Sequence, residues 1–376
     1  MRIDTLHYKG EWQLAQEEIA DKRFASIVFI FGDSDTLRAS EPFAELKARY
    51  PHAHLVGASS AGHVLGGGLH DCPIVATAVQ LEKSFVETAT VDFAIGDDIA
   101  WLAERLMTQL PQEGLRHVFV LSDGLKLNGS DLVRGLNACL DHVPVTGGMA
   151  GDGARFQETY VVSDAPACEQ RIVAVGFYGN DLVVSSGCYA GWTEFGGDRL
   201  VTRARGNVLY ALDGQPALDL YKKYLGDFAQ ELPNSGMRFP LAIRAAKGAP
   251  EVIRTLLAID EQEKSITFAG DVPEGYIARL MKPDVDVLID GARLAAEDIK
   301  QLPGCRGLGL VVSCMGRKIV MSQLVEEELE IVEEVLGPQV QLTGFYSYGE
   351  IAPVENDRQS CMLHNQTMTL TAIYEA

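Results

Sequence analysis

The chain has 376 residues, 47% of them hydrophobic and 22% charged, with 32 Lys+Arg against 52 Asp+Glu. That composition belongs to a folded globular protein and excludes wholesale disorder. The formal net charge of −20 opposes nucleic-acid binding, which needs a basic face to displace counterions, and it opposes docking on an anionic membrane surface.

At roughly 100–200 residues per domain the length predicts two domains. The first twelve residues lack the apolar run of a secretory signal. The longest apolar stretches, such as Ile27-Val28-Phe29-Ile30-Phe31, are strand-sized, far below the roughly 18 residues of a membrane span. Seven scattered cysteines form no CxxC pair, so the expectation is reduced thiols in a cytoplasmic protein, with no disulfide framework, thiolate zinc site or membrane insertion.

Three stretches share one layout of buried strand, helix, short strand, then glycine, four residues, glycine. The first has a strand over 26–31, a helix over 37–50 and a strand leading into Gly57-Ala58-Ser59-Ser60-Ala61-Gly62. The second has a strand over 117–122, a helix over 130–141 and a turn from Gly148 to Gly153. The third has a strand over 308–314, a helix over 322–336 and a turn from Gly344 to Gly349. Leu132, Val133, Leu136 and Leu140 make one apolar stripe, and Ser130 is placed to cap that helix. The continuous apolar strands are those expected of a sheet covered on both faces. A further strand follows each unit, over 73–81, 171–178 and 367–374. The fold class is therefore mixed α/β (α+β), with repeated strand–helix–strand–Gly-turn–strand units forming layered sheets flanked by helices.

Between the second and third units the pattern changes. Residues 206–212 read as a strand ending in the Asp213-Gly214 turn, Pro216 opens a helix over 217–225, and Gly226 closes it. Strands over 253–260 and 265–269 follow. The expected domains are 1–205 and 206–376.

Glycine turns at strand ends can aim backbone amides at a ligand, and Ser59, Ser60 and Ser347 place hydroxyls there. None of the turns ends in Gly-Lys-Ser/Thr, and no GxGxxG opens a helix, so neither a nucleoside triphosphatase nor a dinucleotide fold is expected. No nucleophile elbow or HExxH spacing occurs. Cys314 lies at a strand end before Arg317 and Lys318, and its simplest role is that of a small buried hydrophobe.

Taken together, these residues resemble the FIST family of bacterial sensory proteins, a FIST N-terminal region followed by a FIST C-terminal region. The resemblance is carried by Val56-Gly57-Ala58-Ser59-Ser60-Ala61-Gly62, Asp213-Gly214-Gln215-Pro216-Ala217, Ser313-Cys314-Met315-Gly316-Arg317, Thr343 to Pro353, and His364-Asn365-Gln366-Thr367. It implies a cytoplasmic sensor of small ligands and not an enzyme. One branch of the family binds haem, senses nitric oxide and regulates histidine kinases. That branch would place haem on His63 as metal ligand, or on His364, with Arg155 or Arg317 meeting the propionates. Met149, Phe156, Phe345, Tyr346 and Tyr348 would supply the walls. The alternative is an amino-acid or small-anion sensor that uses Gly57, Ser59, Ser60, Gly62, Gly148, Gly153, Ser347, Gly349, Glu350 and Arg317. The partners expected are a small-molecule ligand and a separate histidine kinase or other signalling protein. A third possibility is an interaction scaffold.

Overall fold

A computed structural model describes residues 1–140, 142–354 and 357–376. Asp141, the last residue of the helix expected in the second unit, lies outside them. Each of the three repeated units builds a parallel strand pair from its apolar runs: Ile27–Gly32 with His54–Ser59, Leu115–Ser122 with Val145–Met149, and Gly307–Cys314 with Val340–Ser347. On the free side of each leading strand lies the strand that follows the turn, Ile74–Gln80, Arg171–Tyr178 or Met368–Glu375, running antiparallel. Beyond that comes a strand from before the unit, Arg2–Tyr8, Phe85–Asp92 or Leu182–Tyr189.

The other edge of each sheet is filled from elsewhere. His63–Leu65, just after the first turn, pairs with the third unit's Val340–Ser347. Val161–Ser163 of the second unit pairs with the first unit's His54–Ser59, and Gly349–Val354 of the third pairs with the second unit's Val145–Met149. The exchange is cyclic. It sets the three sheets around a pseudo-threefold axis, and their inner faces share one core.

That core is aromatic at its centre, where Phe31 stacks on Phe345 at 4.8 Å and Phe29 meets Phe119 edge-on at 5.9 Å. The outer faces are covered by helices. Ile99–Met107 and Gly129–Cys139 cover the second sheet, and Val285–Glu297 and Val325–Leu336 cover the third. The layered α/β arrangement is the one expected. A fourth sheet, spanning residues 193–282, carries the helix Ala217–Leu225. The boundary expected at 205/206 falls inside one of its hairpins, between Arg199–Arg205 and Val208–Leu212.

Local corrections follow from backbone chemistry. The helix expected over 37–50 is broken into Ser34–Leu37 and Ser40–Arg49, with Pro42 in the first turn of the second piece, where a missing N–H costs nothing. Asn128, not Ser130, caps Gly129–Cys139, its side chain accepting from the Ser130 amide. The Ser130 hydroxyl instead accepts from the Asp271 amide. Met315–Met321 forms a separate short helix before Val325–Leu336. Among the described residues no helix is long and apolar enough to cross a membrane.

Candidate functional site

The three glycine turns converge on the axis and bond to one another in a ring. The Ala61 amide donates to the Tyr346 carbonyl at 2.8 Å, Gly151 to Ser59 at 2.9 Å, and Tyr348 to Met149 at 3.1 Å. Strand register makes Gly57, Gly147 and Gly344 equivalent, opposite Ile30, Val120 and Val311. In the second unit the repeat therefore starts at Gly147, one residue before the expected Gly148. A methyl group at these glycines would lie 2.0, 1.9 and 1.9 Å from the opposing carbonyl oxygen, so they let the parallel strands close. Their role is packing.

Of the spaces that open beside the ring, two gather several of the expected residues. The first is a polar cavity of about 630 Å³ at the lip of the first turn, lined by Ser60, Gly62, His63, Gly153 and Arg155 among the expected residues. Its other charged lining residues are Asp33, Asp35, Asp71, Asp152 and Lys318. Lys318 reaches in from the helix Met315–Met321, and its ammonium donates to the Ala61 carbonyl at 2.6 Å. It also lies 5.7 Å from the Tyr346 ring centre. Burial lowers its pKa, while Asp33 and Asp71 pull the other way through space without bonding to it. Gly62 makes room for this lysine, since a side chain there would meet Nζ at 2.6 Å and its φ is +145°. Sequence reasoning passed over Lys318 as a ligand residue. The available signal was a lone extra cation beside Arg317 in an otherwise apolar helix.

The other expected residues are held inside the fold. Arg317 is completely buried: its guanidinium bonds Glu328 at 2.7 and 3.0 Å and also the carbonyls of Ala190 and Leu288. Tyr346 donates its hydroxyl to the same Glu328 at 2.6 Å, and so does Ser313 at 3.0 Å. Neither Arg317 nor Tyr346 is left to meet a ligand. The Ser59 hydroxyl accepts from the Tyr160 amide, and Gly148 and Gly349 lie opposite partners in paired strands. Glu350 accepts from Ser347 at 2.6 Å and from the Thr367 hydroxyl and amide at 2.8 and 3.1 Å, and burial pushes its carboxyl up to about 7. Arg155 is 40% exposed at the lip and pairs with Asp35 at 2.9 Å.

Haem held by His63 or His364, as the family branch would place it, needs an imidazole nitrogen open to an apolar slot. His63 donates its Nε2–H to the Cys72 carbonyl, and its Nδ1 accepts from Ser60 at 3.2 Å; burial keeps the ring neutral. His364 donates Nε2–H to the Ala352 carbonyl at 3.2 Å, and burial brings its pKa down to about 4. It faces a cleft of only about 240 Å³, below the usual size of a ligand pocket. Among the described residues no three His, Cys, Asp or Glu side chains are grouped to hold a metal ion. In this arrangement each histidine's Nε2 is engaged by a backbone carbonyl, and His63 opens onto a polar cavity and not the apolar slot that haem fits.

The second space is an apolar cavity of about 570 Å³ between the second and third turns and the fourth sheet, with Met149, Met237, Met315, Phe156 and Tyr348 in its walls. No histidine lines it.

Comparison with known proteins gives one family and several unassigned relatives. A family model described as the FIST N domain matches residues 26–215, and one described as the FIST C domain matches residues 217–353. An uncharacterised protein of Mycobacterium tuberculosis (strain H37Rv) is 28% identical over 358 residues, covering 90% of this chain and 89% of its own. An uncharacterised protein of Methanocaldococcus jannaschii is 23% identical over 87% of this chain and 70% of its own. Among solved structures, a chorismatase aligns over 99% of this chain and 98% of its own at 9% identity, with a TM-score of 0.36. A cyanuric acid hydrolase from A. caulinodans aligns over 95% and 91% at 11% identity, with a TM-score of 0.33. Overlaps this shallow carry no argument about activity.

Proposed function

The chain belongs to the FIST family, whose domains are sensory modules of signal transduction, and on that footing we propose that it senses a small zwitterion, an amino acid, in the polar cavity beside the first turn. The observation that carries this reading is Lys318, a half-buried ammonium at the meeting point of the turns whose one hydrogen bond goes to a carbonyl. A ligand carboxylate would complete its shell with a charge-assisted bond. Asp33 and Asp71, both exposed on the same cavity, are placed for the ligand's ammonium. The Ser60 hydroxyl and the Gly62 and Gly153 backbone supply neutral contacts around the Cα.

Output would pass to a separate signalling protein, and a histidine kinase is the class the family resemblance names. Haem and nitric oxide draw less support, because the Nε2 of both His63 and His364 is engaged by a backbone carbonyl.

The test is thermal unfolding and calorimetry of the purified protein against the twenty amino acids and their decarboxylated amines. At least one amino acid should stabilise the parent, its amine should not, and Lys318→Met should abolish the effect while leaving the unliganded melting temperature in place. If no amino acid shifts the melt, or Lys318→Met binds like the parent, the proposal fails. A Soret band in protein grown with haem supply would revive the iron-based alternative.

A further inference from the structure

We propose that the apolar cavity is a second, separate ligand site that takes an uncharged, ring-bearing molecule with one N–H or O–H group. The inference does not rest on the amino-acid reading of the polar cavity. Thr255 lines this space, is only 7% exposed, and its Oγ1 has no hydrogen-bond partner in the protein. Its backbone is fully engaged: the carbonyl accepts from Ala269 at 2.9 Å, and the amide donates to Asn365 Oδ1 at 3.4 Å. The hydroxyl alone is left over. The hydroxyl itself is closed off, so a ligand reaches it through a turn of the Thr255 side chain toward the cavity, and the bond formed recovers the free energy that a partnerless buried hydroxyl costs.

The walls decide the class of that ligand. Three thioethers, Met149, Met237 and Met315, face the space together with Phe156 and Tyr348, whose rings stack at 4.7 Å. Sulfur and ring faces favour a flat, polarisable body. Charge is disfavoured. Of the lining side chains only Lys126 is ionic, and it is closed by Glu169 at 2.8 Å, so a bare carboxylate or ammonium would be desolvated without a counter-charge. The remaining polar lining is uncharged, the amides of Asn128, Asn207 and Asn234 with the Tyr348 hydroxyl and the Cys314 thiol, suited to a second weak hydrogen bond. The volume, about 570 Å³, lies in the ordinary range for small-molecule pockets.

Binding here would also join two parts of the molecule. One wall is the turn ring, and the opposite wall belongs to the fourth sheet through Thr255, Phe268 and Ala269. A bound ring would stabilise the packing of that sheet on the turns, which makes protection of the fold a direct readout.

Indole and p-cresol serve as uncharged probes, with benzoate and L-phenylalanine as charged analogues, all followed by calorimetry and thermal unfolding. At least one of the uncharged pair should bind saturably and raise the melting temperature, while the charged pair should not bind in this cavity. Thr255→Val, which keeps the shape and removes the orphan hydroxyl, should weaken binding by about tenfold, the loss of one buried hydrogen bond. Ala269→Phe should abolish it by filling the space; if that variant fails to fold, Leu257→Trp on the exposed rim should block entry instead. Lys318→Met should leave indole binding unchanged, which separates this site from the polar one. The proposal is overturned if neither uncharged probe binds, if benzoate or L-phenylalanine binds as tightly and is displaced by indole, or if Thr255→Val binds as the parent does.

Discussion

Replacing Glu350 with Gln should remove a pH dependence from the fold. The carboxyl is completely buried, and burial raises it from the ordinary 4.5 to about 7 although Ser347 and Thr367 donate to it. In the unfolded chain the group ionises near 4.5. Between pH 4.5 and 7 the folded state therefore keeps a proton that the unfolded state has released, and stability declines as pH rises through that window. The loss is complete above pH 7 and absent below 4.5. At about 1.4 kcal/mol per pH unit it amounts to about 3 kcal/mol. Gln mimics the protonated acid: its carbonyl takes the two Thr367 bonds and its amide donates to the Ser347 oxygen. Urea unfolding of parent and variant from pH 4.5 to 8 gives a difference curve in which all other titrating groups cancel. The variant's advantage should grow by about 3 kcal/mol across the window and level off above pH 7. A difference that stays constant with pH would refute the buried, protonated carboxyl.

Acid should act in the opposite sense through the histidines. His117 is brought to about 3 and His364 to about 4 by burial, so the unfolded state binds their protons first and stability falls as pH drops from 6.5 toward 4. Each contributes about 1.4 kcal/mol per pH unit and Glu350 offsets one of them, so Glu350→Gln should steepen the acid limb seen by urea titration. Arg317→Met should cost about 3–5 kcal/mol in chemical denaturation by leaving Glu328 buried and unpaired, and the double change Arg317→Met with Glu328→Leu should recover much of it. Gly57→Ala should cost about 3 kcal/mol by forcing the first strand pair apart. Gly153→Ala, where a methyl group meets nothing within 4 Å and only φ +74° is strained, should cost about 1 kcal/mol. Equal costs at these two glycines would contradict the close-approach account.

Local chemistry was readable in the sequence, and distant chemistry was not. Apolar runs and glycine spacing announced the three strand pairs because each is written in at most 41 consecutive residues. The exchanged edges were invisible: His63–Leu65 and Val161–Ser163 are three residues long, and their partners lie far away in the chain. Two adjacent glycines, Gly147 and Gly148, made the repeat frame of the second unit ambiguous until register fixed it. Arg317 looked like an anion clamp because its partner Glu328 lies beyond a break in the helix at Ser322, where helical spacing no longer guides the eye. Ser60, Gly62, His63, Gly153 and Arg155, expected under two different ligand readings, line one cavity because they lie in or just after turns that converge. Thr255 carried no sequence signal, since an unpartnered hydroxyl is a property of its surroundings alone.

The cyclic exchange of edge strands has a consequence for how the chain comes into being. During synthesis the first sheet waits for residues 161–163, the second for 349–354, and the third for a strand made near the start, so no sheet can be finished from its own unit. Open edges of this kind invite mispairing with other chains. Until the last unit leaves the ribosome the nascent protein is an unclasped bracelet, and its yield in a cell should depend on chaperone supply more than its final stability would indicate.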